Sequence, residues 1–274
     1  MSAFKMRTVA RIALLALVAG FMAWPAAELV IVAHAQQTAQ STVAKLPFSK
    51  RMKLAKAGDD EAQASVAMAY ELGTDGRRKN LVKAAQWYRK AAKGGNVDGQ
   101  YRLARIVHNG GKGINASPDI AAKLYESAAR QGHRDAQYWT GYCYQHGEGV
   151  EASSSEAVVW YTKAAEEKHA LAENNLGLMH LNGKGVPRDL GKAFRLFERS
   201  AGQDNSWAIN NLGGMYEMGW GTRRDELKAL KHYQRAAGMQ NAQAQQNFDR
   251  LEDKLKSSGK LTSSVNKAPQ TATE

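Results

Sequence analysis

A chain of 274 residues with 43% apolar residues holds enough material for a packed core, and its formal charge of +12 admits nucleic acid, anionic membrane or acidic polymer as a partner. The basic residues are spread along the chain with no block of five or more, which argues against a nucleic-acid arm. The single cysteine, Cys143, excludes an intramolecular disulfide framework, and five prolines, none inside an expected helix past its first turn, favour an all-α chain.

Residues 1–35 have the layout of a secretory signal peptide. Lys5, Arg7 and Arg11 precede an apolar run from Ile12 to Trp24, and Ala33-His34-Ala35 forms a small-residue cleavage site. Apolar residues continue to Ala33, a length that also suits an uncleaved anchor, but Pro25 and Glu28 interrupt the run and favour cleavage. No cysteine follows it, so this is not a lipoprotein leader. Export to the periplasm is expected, with secretion or anchoring in the inner membrane as the alternatives. Without residues 1–35 the formal charge is +10. Residues 36–47 are small and polar and read as a flexible linker.

From Phe48 the chain repeats. Phe48 to Ala57 is a half-unit that caps the array. Small residues then open a first helix at Ala62, Gly99, Ala136, Ala172, Ala208 and Ala244, with spacings of 37, 37, 36, 36 and 36. An aromatic falls in each second helix at Tyr88, Tyr125, Tyr161, Phe197 and Tyr233, and a glycine between the helices at Gly73, Gly110, Gly147, Gly183 and Gly219. Self-similarity at this period marks an array of units that cannot bury their apolar faces singly.

In the third unit, Gly147-Glu148-Gly149 ends the first helix, because glycine tolerates positive φ. Ser153-Ser154-Ser155 supplies an N-cap for the second. Asp119, Asp189 and Asp225 are expected at the same helix start elsewhere. Ala157, Trp160, Tyr161, Ala164 and Ala165 form an apolar stripe at helical spacing. The last helix, Ala242 to about Leu255, has a polar outer face suited to a cap. Residues 257–274 have almost no large apolar groups and are expected to be disordered.

The segment Ala172-Glu-Asn-Asn175-Leu176-Gly177, continuing through Gly183-Lys-Gly185-Val186 to Asp189, Lys192-Ala193 and Leu196-Phe197, resembles the Sel-one-like repeat, a subclass of tetratricopeptide-like solenoids. The resemblance covers about residues 48–250. It implies a right-handed α-solenoid of about five helix-turn-helix repeats over residues 48–256, with capping helices. It also implies an interaction scaffold, often exported. Some cysteine-rich relatives are linked to β-lactams, but they staple each repeat with a disulfide that this chain lacks.

The remaining chemistry is sparse. Cys143 aligns with Met179 and Met215, a core position. His133 and His169 repeat at one turn, and no histidine pair has zinc-ligand spacing, so no metal is expected. The Gly-x-Gly loops lack the Lys-Ser/Thr and preceding strand of a phosphate cradle and read as turns. No cofactor is expected.

By analogy with tetratricopeptide stacks, the first helices line a concave groove. That places Tyr101, Arg105, Tyr138, Trp139 and Tyr142 in its middle, residue types that make good binding anchors. Asn174, Asn175, Asn210 and Asn211 follow, whose amides suit an extended main chain. Packing against the neighbouring unit competes with binding for the tyrosines, and inter-repeat hydrogen bonding for the asparagines. The expected function is a non-catalytic, monomeric envelope scaffold. It binds another protein or extended peptide, not nucleic acid, and meets a membrane only through an uncleaved leader. An envelope hydrolase acting on β-lactam or peptidoglycan fragments is the alternative.

Overall fold

The computed structural model describes residues 42–261. The expected leader, the first half of the linker and residues 262–274 of the tail lie outside the described residues. Among the described residues, twelve helices follow one another from Phe48 on: α1 (Phe48–Lys56), α2 (Asp60–Leu72), α3 (Leu81–Lys93), α4 (Val97–Asn109), α5 (Pro118–Arg130), α6 (Arg134–His146), α7 (Ser154–Glu166), α8 (Ala170–Asn182), α9 (Leu190–Ala201), α10 (Ser206–Met218), α11 (Glu226–Gly238) and α12 (Ala242–Ser257). Among the described residues there is no strand, only one isolated bridge between Gly111 and Ile114. The fold class is that of an α-solenoid, as the period requires.

The helices belong to two compact units. The first runs to Leu103 and includes Gly111–Ile114; the second comprises Ala104–Gly110 and the chain from Asn115. In the first, Val43, Ala55, Ala62 and Val66 form a core against which Phe48, Met52, Tyr70 and Trp87 pack. Val43 lies in the stretch read as a flexible linker, yet its side chain is buried in this core. Arg51 is buried beneath it all, donating to Ser65 Oγ at 2.7 Å and pairing with Asp75.

In the second unit each helix from α5 to α12 packs on the next. Tyr125, Tyr161, Phe197 and Tyr233 are each 2% exposed or less, and the small residues of the repeat surround them. Replacing one such ring by alanine costs about 3–5 kcal/mol. The reason for small residues is geometric: a Cβ at Gly177 would lie 2.7 Å from the Phe197 ring, and one at Gly213 2.6 Å from Tyr233.

The caps follow the residue types. Asn80, Ser153, Asp189 and Asp225 accept the N3 backbone N–H of the second helices. Asp119 does not share this place: in its unit Ser117 is the cap residue, Pro118 opens the helix and Asp119 sits in the first turn. His133 and His169 cap α6 and α8 through Nδ1, which accepts from Ala136 and Ala172 at 3.2 Å.

At the C-terminus α12 reaches Ser257 and the chain stays ordered to Leu261. Leu261 packs on Tyr233, Leu251 and Leu255, and Lys260 pairs with Glu226 at 2.8 Å. Residues 258–261, read from composition as part of a disordered tail, are thus packed on the last helices.

Candidate partner-binding groove

The first helices of the second unit, α6, α8, α10 and the end of α4, carry the residues expected to line the groove. Three consecutive turns of α6 supply Tyr138 and Trp139, then Tyr142, then His146, since residues three and four apart are helical neighbours. Trp139 stands at the centre. Tyr142 meets it edge-on at 5.4 Å, Tyr138 at 5.5 Å, and the ring of His108 from α4 lies 5.5 Å away. Beneath, Trp139 stacks on Tyr125 at 5.7 Å with planes 12° apart. Tyr142 continues the run to His146 at 4.3 Å, and Tyr138 stacks on His169 at 4.7 Å.

Three of the expected anchors thus converge: Tyr138, Trp139 and Tyr142 are half-buried members of one cluster. Burial pushes the Tyr138 hydroxyl above the usual tyrosine range, and burial followed by the charge of Glu148 does the same to Tyr142. Both stay protonated donors at neutral pH. Arg105 is exposed on the same unit. Tyr101 is half-buried and belongs to the first unit.

The asparagines form a relay along successive repeats. Asn211 Nδ2 donates to Asn174 Oδ1 at 2.9 Å, and Asn174 Nδ2 to Asn175 Oδ1 at 3.2 Å. Asn175 Nδ2 donates to the Tyr161 hydroxyl at 3.1 Å, which donates to Gln145 Oε1 at 2.8 Å. One repeat on, Asn247 Nδ2 donates to Asn210 Oδ1 at 2.9 Å. Inter-repeat bonding therefore engages all four expected asparagines. Two amide atoms take no bond within the described residues: Asn210 Nδ2 and Asn211 Oδ1.

Two cluster members were not among the expected site residues. They are His108 and His146. The signal was the register: His108 stands one period before Gln145, the partner of the Tyr161 hydroxyl. His108 Nε2 lies 3.4 Å from Glu148, and its buried Nδ1 has no partner.

Elsewhere, reactive groups are set aside from chemistry. Cys143 is 1% exposed and burial pushes its thiol up to about 12, the opposite of an activated nucleophile. Among the described residues no group of three or more His, Cys, Asp or Glu is placed to hold a metal ion, and no helix is long and apolar enough to cross a membrane.

Helix pairs in register and buried ring-on-glycine contacts define a helical repeat protein of the solenoid class. The Sel1 repeat model matches residues 60–96, 97–133, 134–169, 170–205 and 208–241, and the chain belongs to that family. It is similar to the crystal structure of a protective antigen present in uropathogenic Escherichia coli strains and displaying an SLR fold. The identity is 29%, over 74% of this chain and 43% of that one, with a TM-score of 0.69. It is also similar to a Sel1 repeat protein from Oxalobacter formigenes, 28% identical over 74% of this chain and 86% of that one, with a TM-score of 0.65. This chain spans less than half the length of the first of these. No curated protein matches.

Proposed function

We propose that this chain is a non-catalytic scaffold of the bacterial envelope that binds another protein or an extended peptide on its first-helix face. The observation that carries the reading is the aromatic cluster of Tyr138, Trp139 and Tyr142, joined by His108 and His146. Rings that combine contact area with donors, held by their neighbours, lose little entropy on binding. The Sel1 fold, commonly a protein-interaction scaffold, supports the same reading. The envelope, and the periplasm within it, is proposed on the leader-like residues 1–35.

The test is a crosslinked pull-down from envelope fractions with the full chain and with a Tyr138→Ala, Tyr142→Ala, Arg105→Ala variant. A protein held by the first and lost by the second, with equal helical signal from both baits, supports the reading. Equal capture by both places the site on the second helices or loops, and turnover of a substrate by the purified chain alone overturns the non-catalytic part.

A further inference from the structure

Three helical glycines of the second unit have a packing reason. A Cβ at Gly141, Gly177 or Gly213 would come within 2.6–2.8 Å of the ring of Tyr161, Phe197 or Tyr233. Gly214 has none. A Cβ there would meet only the Tyr233 hydroxyl, at 3.6 Å, which is ordinary contact. Yet glycine inside a helix is costly, close to 1 kcal/mol against alanine, and in the other units this register position holds Met68, Arg105, Tyr142, Leu178 and Arg250. The position lies on the face expected to form the groove, and Gly214 leaves a gap in that row of side chains.

What borders the gap has a consistent character. Asn210 and Asn211 stand one turn before Gly214, and their unengaged atoms are one donor, Asn210 Nδ2, and one acceptor, Asn211 Oδ1. Met218, one turn after, is 56% exposed, and Leu178 holds the same register position on α8. The nearby charges cancel: both guanidinium nitrogens of Arg250 donate to the Glu217 carboxylate at 2.6 and 2.7 Å, and the Tyr233 hydroxyl donates to it at 2.9 Å. The border is apolar and amide, with no uncompensated charge.

We propose that Gly214 keeps open a notch that receives one apolar side chain of an extended, uncharged segment of the partner, while Asn210 Nδ2 and Asn211 Oδ1 hold that segment's main chain. Asn210 is bonded toward α12 and Asn211 toward α8, so the amide donor and acceptor flank α10 and match the C=O and N–H of a strand-like peptide laid across the helices. Uncharged chemistry follows from the border: a charged side chain would be desolvated there without a partner. The inference rests on the first-helix face being the binding face, and it names the partner's chemistry there.

The test uses a phage-displayed library of random twelve-residue peptides selected on the full chain. Selected peptides are titrated by fluorescence anisotropy against wild type, Gly214→Leu, Gly214→Ala and a Tyr138→Ala, Tyr142→Ala variant. The expected peptides carry an apolar residue whose change to Asp weakens binding about tenfold or more. Gly214→Leu loses them to the same extent, and Gly214→Ala weakens them while raising the melting temperature, a pairing that a packing role for the glycine would reverse. Peptides that bind both Gly214 variants as tightly as wild type but fail on the tyrosine variant overturn the notch and leave the groove standing. Peptides indifferent to every variant, or no enrichment at all, overturn both.

Discussion

Tyr161 on α7 donates its hydroxyl to Gln145 on α6 at 2.8 Å. The same pair of register positions is filled by Tyr88 and Glu71 at 2.6 Å and by Tyr233 and Glu217 at 2.9 Å. In the fourth unit the ring is Phe197, without a hydroxyl, and the opposite position is Leu181, which packs against the cluster around Phe197. The two positions change polarity together because a buried hydroxyl needs an acceptor and a buried phenyl does not.

This sets an asymmetry for mutation. Tyr161→Phe removes a hydroxyl with two partners, Gln145, which is exposed, and Asn175, which is half-buried; both can turn to water, so the loss is about 1 kcal/mol. Phe197→Tyr places a hydroxyl beside Leu181, whose side chain cannot accept a hydrogen bond, and the expected loss is about 1–3 kcal/mol. Adding Leu181→Gln restores part of that loss. Urea titration of the three variants checks it, and an equal cost for both single changes would remove the pairing rule.

A second prediction concerns acid. Burial lowers the affinity of His169 for a proton, Asp135 opposing and Arg134 adding to the effect; burial does the same at His180, which is 3% exposed, and at His232. Unfolded histidine titrates near pH ~6.5. Below that value the unfolded chain binds protons that the folded chain resists, so stability is full above pH ~6.5 and falls as pH drops toward the lowered folded values. At His169 the geometry gives the same sign, since a protonated Nδ1 cannot accept the Ala172 N–H. His169→Asn retains a cap of the kind that Asn205 and Asn241 provide and does not titrate. Its melting temperature is expected to fall less than that of wild type between pH 7.5 and 5.

The loops give a third. Gly183 ends α8 with φ of +68°, the left-handed turn expected of it. Gly185 does something further: a Cβ there would lie 2.3 Å from the Ser154 backbone at the start of α7, one repeat earlier. Gly149 and Gly221 meet the starts of α5 and α9 in the same way, at 2.1 and 2.3 Å. The loop is thus the place where one repeat's backbone rests on the previous one. Gly185→Ala adds left-handed strain of about 1–3 kcal/mol to that steric conflict, and its denaturation midpoint should fall well below that of Gly183→Ala, where the nearest atom is 3.5 Å away.

These cases show what the sequence carries. The period fixed which residues share a face, and with it the helix pairs, the buried rings and the caps at Ser153, Asp189 and Asp225. It could not say which atom a side chain reaches in the next repeat. Asn174 and Asn211 lie 37 residues apart, and only the packing of α8 on α10 decides that one donates to the other. The second glycine of each loop looks like the first in sequence, because the backbone it touches is a repeat away. Asp119 was misplaced for the opposite reason: an acid near a helix start resembles a cap, but Ser117 and Pro118 set the start two residues earlier. At the groove, residue type points to Tyr138, Trp139 and Tyr142, while the register of His108 with Gln145 gives its position in the repeat but not its ring contact with Trp139.

The ordered end of the chain supplies the last prediction. Lys260 and Lys254 both reach the Glu226 carboxylate, at 2.8 and 2.9 Å, and Arg224 reaches it at 2.7 Å. These contacts are exposed on the cation side and contribute little singly, so Leu261 is the main reason the segment stays folded back. Its partial burial on Tyr233, Leu251 and Leu255 is worth about 1–2 kcal/mol. A chain ending at Ser257 should therefore melt below one ending at Leu261, and the gap should survive 0.5 M salt, which screens the lysines but not the leucine. A gap that closes in salt would assign the segment's hold to Lys260. No gap at all would return residues 258–261 to the disordered tail read from composition.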